Sequence, residues 1–326
     1  MKTTHILNVL AGATLIHGAA FAQTKAPETY PSKPIRLIVP FAPGGGTDII
    51  ARLLARELAG YFGQSVIVDN RGGAGGLVGT ELGVRALPDG YTLTLVSGSY
   101  STSAALLDLP YDPIKDITPV ILVGDTLFLA VVHPSVQANN VKELIALAKA
   151  KPGGFSYGST GTGGITHLAM ELFNMMAGTQ MVQVPYKGTA PALNDIIGGQ
   201  IPLMLSTAPS ALPHVRTKRL CAIAVTSAKR SASLSDIPTV AESGLPGYEA
   251  VSWYAVFGPK GLPRPIVARL NAEFAKAMAI PDIQSKFAVE GIEVRGGEPR
   301  VFEALLTREI AKWKEVVKQA KLKPTS

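Results

Sequence analysis

From Ile35 onward, short apolar runs alternate with longer stretches whose apolar residues recur every three or four positions. A short run bounded by Pro, Gly or Asn suits a buried strand, whereas the wider spacing gathers apolar side chains on one face of a helix. Residues 35–40 read as the first strand and 47–59 as the helix after it, with apolar side chains at 49, 50, 53, 54 and 58. Residues 65–70, 92–97 and 127–133 read as further strands. A helix is predicted over 75–87, stopped by the turn signal Pro88-Asp89-Gly90.

The second half repeats the scheme. A helix over 141–150 is stopped by Lys151-Pro152-Gly153-Gly154, a strand follows at 155–158, and a helix at 165–177 carries apolar residues at 165, 168, 172, 173 and 176. Strands are predicted at 181–184, 203–205 and 220–226, and a helix at 191–197 with Pro191 in its first turn. Residues 227–248 read as a surface connection, 251–259 as a strand re-entering a core, and 265–279, 283–288 and 299–318 as closing helices. This alternation predicts an α/β protein with largely parallel sheets. The chain leaves a first domain near 123 and returns near 253, so two crossings define a hinge over a central cleft. The expected division is 23–123 plus 253–326 for the first domain and 124–252 for the second.

Each half places a glycine-rich loop between a strand and a helix: Phe41-Ala42-Pro43-Gly44-Gly45-Gly46-Thr47-Asp48 and Gly158-Ser159-Thr160-Gly161-Thr162-Gly163-Gly164. A helix N-terminus leaves about four amides unpaired and carries roughly half a positive charge. Two such ends facing one another would clamp an anion.

Composition narrows the setting. Residues 1–5 hold one Lys and no acid, 6–20 are mostly apolar or small, and Ala20-Phe21-Ala22 precedes Gln23 as a cleavage signal. A secretory signal is therefore predicted over 1–22, cut after Ala22, with a soluble exported mature chain; its apolar run is shorter than the about 20 residues of a membrane span. Cys221 is the single cysteine, so no intramolecular disulfide can form, and its apolar neighbours predict a small buried side chain. Formal charge is +7, or +6 without Lys2, spread singly along the chain. No basic block marks a nucleic-acid partner, and a mild positive field would speed the arrival of an anionic solute. Nothing in the pattern calls for an oligomer, so a monomer is expected.

Enzymatic signatures are missing from the sequence. There is no Gly-Lys pair for a phosphate loop, and Gly72-Gly73-Ala74-Gly75-Gly76 only superficially resembles a dinucleotide fingerprint. Gly158-Ser159-Thr160-Gly161 is not a nucleophile elbow, and His133, His167 and His214 have no metal-ligand spacing. No catalytic residue, metal or cofactor is expected.

The ordered motifs 38–48, Asp89-Gly90-Tyr91, Tyr157-Gly158-Ser159 with His167-Leu168, Val184-Pro185-Tyr186-Lys187-Gly188 and 220–226 resemble the Bug-type solute-binding proteins of tripartite tricarboxylate transporters. The resemblance runs from about residue 30 to 320. It implies a periplasmic two-domain binding protein of Venus-flytrap form, type II-like, holding a small carboxylate between the two loops and delivering it to a membrane permease. The alternative is a ligand-sensing partner of a membrane sensor. Many relatives carry an acid where this chain has Ser206-Thr207 after Leu203-Met204-Leu205. Its absence weakens the case for an amino-acid ligand and favours a di- or tricarboxylate or an aromatic acid.

Candidate ligand contacts follow. Ala42, Pro43, Gly44, Gly45 and Gly46 would present amides, with Phe41 either walling the pocket or filling the core. Asp48 would cap its own helix or bind a donor on the ligand, capping being the preferred role. Ser159, Thr160, Gly161, Thr162 and Gly163 would supply hydroxyls and amides from the facing domain, one Thr acting as N-cap. Tyr186 and Ser206 would select among acids, and Ser97 and Ser99 would form the rim. His167 is either a helix-face residue or a contact, and Lys187 either solvated or a source of charge.

Overall fold

The computed structural model describes residues 30–289 and 291–323; the signal expected over 1–22 lies outside the described residues. The chain opens with β1 (Ile35–Val39), α1 (Gly46–Phe62), β2 (Val66–Asn70), α2 (Leu77–Val84), β3 (Thr92–Ser97), α3 (Ser99–Leu106) and β4 (Ile117–Val132). The middle comprises α4 (Val141–Ala150), β5 (Ser156–Ser159), α5 (Ile165–Ala177), β6 (Val182–Pro185), α6 (Thr189–Ile197), β7 (Leu203–Thr207), α7 (Ala208–Arg216) and β8 (Cys221–Val225). It ends with β9 (Val251–Pro259), α8 (Arg264–Ala279), α9 (Pro281–Val289), β10 (Ile292–Val294) and α10 (Pro299–Gln319).

The strands pair in the order β2-β1-β3-β9-β4-β7-β5-β6, with β8 and β10 also on β4. β1 lies parallel to β2 and β3, and β5 parallel to β6 and β7. Parallel pairs require crossover connections, which the helices supply. β4 joins the two halves: residues 117–127 pair with β9, while 128–132 pair with β7 on the other sheet. α10 spans the same join. Its Phe302, Leu306 and Ile310 pack with Trp253, and one to two turns later Trp313 and Val316 enter the core around Phe128, Tyr157 and Phe173. In the first half Ile35, Leu37 and Val39 of β1 are fully buried against Leu54 and Leu58 of α1 and Phe274 of α8. Each such side chain contributes about 1.5–3 kcal/mol of burial free energy.

Several elements depart from the sequence expectations for identifiable reasons. β4 begins ten residues before the expected 127, because Pro119 and Gly124, which read as breakers, sit at register shifts of its pairing with β9. The helix expected over 75–87 starts at Leu77 and ends at Val84, with Gly75 and Gly76 at φ 65° and 105° in the turn before it. α3 was not predicted because its Ser99-Tyr100-Ser101-Thr102-Ser103 run is poor in helix formers. α7 was hidden by Pro209 and Pro213. Cys221 is exposed rather than buried: it opens β8, an outer strand whose only partner strand is β4. The 227–248 connection buries Val240, Leu245 and Tyr248, and the Tyr248 hydroxyl donates to the Ala169 carbonyl at 3.0 Å.

Candidate functional site

Five helices start at the carboxyl end of a strand and point their N-termini into one cavity of about 20 Å³ between the two sheets. α1 supplies Gly45, Gly46 and Thr47; α3 supplies Ser99; α5 supplies Ile165 and Thr166; α6 supplies Thr189; and α7 supplies its N-cap Thr207. Phe41, Phe128 and Ile165 form apolar walls, and Ser97, Thr160, Ser252 and Tyr254 complete the lining. Carboxyl ends of parallel strands are the usual ligand position in α/β sheets, because the chain reversals there leave amides facing outward.

The amides of Gly46 and Thr47 have no hydrogen-bond partner among the described residues, because α1 has no side-chain cap at Gly45. Asp48 turns away from the cavity. Its Oδ2 accepts from the Gly44 amide at 2.9 Å and from Arg52 Nε at 3.0 Å, bracing the loop from behind. Burial alone would raise its pKa, but hydrogen bonds from Arg52, Gly44 and Asn70, together with the Arg52 charge, outweigh burial and hold the carboxyl below its ordinary range. Among the described residues no Asp, Glu, Lys, Arg or His lines the cavity, so the helix ends are the source of positive charge facing it.

The expectation that a threonine caps this helix fails: the N-cap of α5 is Gly164. Its first amide, at Ile165, donates instead to Ser99 Oγ of α3 at 3.1 Å, across the cleft. Thr166 Oγ1 takes the Thr160 amide at 2.9 Å and fixes the second loop. Other bonds span the halves: the Ala42 amide donates to the Lys187 carbonyl at 3.0 Å, and Ser103 Oγ donates to the Gly163 carbonyl at 3.4 Å. The Gly72–Gly76 stretch, which superficially resembles a dinucleotide loop, packs backbone to backbone on the second loop. A Cβ on Gly161 would lie 2.7 Å from the Gly75 amide nitrogen. The two halves are therefore in contact, and the cleft is closed.

Of the candidate residues, Phe41, Gly45, Gly46, Ser97, Ser99 and Thr160 line the cavity. Ala42 uses its amide across the cleft, and Pro43 and Gly44 face solvent. Ser159 Oγ accepts from Gln183 Nε2 at 2.7 Å, and Gly161, Thr162 and Gly163 form the outer seam. His167 Nδ1 accepts the Gly163 amide at 3.3 Å, and burial lowers its pKa to about 4, so the ring is neutral. Tyr186 donates to Asp195 at 2.6 Å and is pushed up to about 12 by burial and by that carboxylate. Ser206 is fully buried in β7, with its hydroxyl on the Thr207 carbonyl at 3.3 Å. Lys187 contributes a carbonyl to the seam.

Sequence reasoning did not single out Thr189, Thr207, Phe128, Ser252 or Tyr254 as lining. Gly188-Thr189 and Thr207-Ala208-Pro209 carry the same helix-start signal as the two main loops and could have been found by it. Tyr254 sits in the largely apolar strand β9, where nothing marks it and Ser252 as the side chains that face the cleft.

Residues 50–322 match the family model described as "Tripartite tricarboxylate transporter family receptor". Protein BugT of Bordetella pertussis is 38% identical over 333 residues, covering 99% of this chain and 100% of BugT. The solved structure of periplasmic binding protein BugD has a TM-score of 0.88 at 35% identity, covering 91% of this chain and 100% of BugD. R. palustris Rpa4515 with adipate has a TM-score of 0.88 at 36% identity, with 91% and 100% covered. The fold is that of a two-domain periplasmic binding protein, and the chain belongs to the tripartite tricarboxylate transporter receptor family.

Proposed function

We propose that this protein captures a small organic acid between its two glycine-rich loops in the periplasm, without turnover, and hands it to a membrane permease. Residues 1–22 direct export and are then removed after Ala22, and the working form is a monomer. Residues 23–123 with 253–326 form one arm and 124–252 the other, hinged at β4 and at the return into β9. The observation that carries this reading is that, among the described residues, five helix N-termini converge on a cavity lined by no charged side chain. At about half a charge each they sum to on the order of two positive charges, suited to a dianion. A di- or tricarboxylate therefore fits better than a monoanionic aromatic acid, and no acidic side chain is present at the lining to receive an ammonium group. The adipate held by Rpa4515 supports the dicarboxylate class.

The closed cavity holds one or two waters at its present size, so an organic acid enters as the arms part and then holds them slightly wider. Calorimetric titration of the mature, ligand-stripped protein with adipate, succinate, citrate and benzoate tests the proposal. A dissociation constant in the micromolar range, about −8 kcal/mol, is expected for at least one dicarboxylate. Absence of binding by every acid would overturn it.

A further inference from the structure

Among the described residues, Tyr254 is the cavity-lining residue whose fully buried polar atom lacks a hydrogen bond in the closed protein. It is fully buried in β9, lines the cavity, and its hydroxyl makes no hydrogen bond of ordinary geometry among the described residues. Thr207 Oγ1 approaches the same point above Gly46 and lies near enough to the Tyr254 hydroxyl to offset part of the effect of burial on the phenol, but its hydrogen bond of ordinary geometry is with Ser210 Oγ at 3.1 Å. A Cβ on Gly46 would stand 2.6 Å from the Tyr254 hydroxyl, so that oxygen lies directly over the open end of α1. Buried hydroxyls without partners are rare, because the lost hydration is not replaced.

We propose that the Tyr254 hydroxyl donates a hydrogen bond to the ligand carboxylate seated at the N-terminus of α1, and so reads the acid from the hinge side of the cleft. The inference rests on the carboxylate-binding reading above. β9 pairs Tyr254 with Ser97 of β3 and with Gly124 of β4, the strand that joins the sheets. A ligand that engages Tyr254 is therefore tied to a strand adjoining the hinge as well as to both loops. Burial raises the phenol's pKa, so it remains a donor throughout the neutral range.

The test compares Tyr254→Phe and Tyr248→Phe with the wild type, using adipate and succinate as probes and thermal unfolding of the ligand-free protein as the second readout. Tyr254→Phe should weaken binding of the acid about tenfold or more, the scale of a hydrogen bond to a charged group. Its ligand-free midpoint should stay level or rise, because an unpartnered buried hydroxyl is removed. Tyr248→Phe should do the reverse: its hydroxyl is used structurally, on the Ala169 carbonyl, so the midpoint falls and affinity holds. Binding by Tyr254→Phe within twofold of wild type would overturn the inference alone. A fall in its ligand-free midpoint matching that of Tyr248→Phe would also overturn it, by showing a structural role. A wild type that binds neither acid overturns this inference together with the proposed function.

Discussion

Replacing Gly46 with Ala should weigh on closure more than on folding. Gly46 is the first residue of α1 and has an ordinary negative φ, so its backbone accepts alanine without strain. Two oxygens object, one on each half. The new Cβ would lie 2.6 Å from the Tyr254 hydroxyl and 2.7 Å from Thr207 Oγ1, well inside contact distance. Thr207 belongs to the opposite sheet, so parting the halves relieves that contact, whereas Tyr254 lies in the same half as α1 and is fully buried, so its contact persists in both forms. Overpacking by one methyl group typically costs about 1–3 kcal/mol. Affinity for a dicarboxylate should therefore fall about 5- to 150-fold, at 1.4 kcal/mol per tenfold. The open form loses the Thr207 contact but keeps the Tyr254 one, so the ligand-free protein should be destabilised as well. Calorimetry on adipate together with thermal unfolding of the ligand-free protein reads both effects. Affinity within twofold of wild type would refute the reasoning, as would a ligand-free midpoint above that of the wild type.

Two further outcomes follow from the same geometry. Ser99→Ala removes the oxygen that caps α5 across the cleft; at about 1 kcal/mol for a cap, acid affinity should drop about fivefold. Ser99→Thr should restore it, and an unchanged constant in both variants would argue against the cross-cleft cap. His167 has a folded-state pKa of about 4, below the ordinary value of 6.5, so its contribution is complete above 6.5 and is lost as pH falls toward 4. Denaturant titrations should show a loss of up to about 3 kcal/mol over that window, and His167→Gln should remove most of it. A pH profile identical in the two proteins would count against a buried neutral ring.

The strand and helix pattern was largely legible because burial imposes it: β9 at 251–259 and α5 at 165–177 coincide with their expected bounds. What failed was local chemistry overridden by tertiary context. Pro119 and Gly124 look like strand breakers, yet β4 runs through both because bulges absorb them, and Gly124 leaves room for the Glu293 carbonyl of β10. At the site, the α1 loop and Thr160 were readable, since glycine between strand and helix has a physical reason to be there. Ser99 was readable as a rim residue, but not as the cap of another helix. That role depends on which elements face each other after folding. Tyr254 was unreadable for the same reason: an apolar strand conceals which side chain points at the ligand.

The most direct test of the central claim is a crystal structure of the stripped protein grown with adipate. A carboxylate should lie within hydrogen-bond reach of the Gly46 and Thr47 amides of α1, with the same acid also contacting Thr160 or Thr166 on the other half. An acid held by one half alone, or bound in the groove at Arg295, Arg300 and Arg308 on the α10 side, would contradict it.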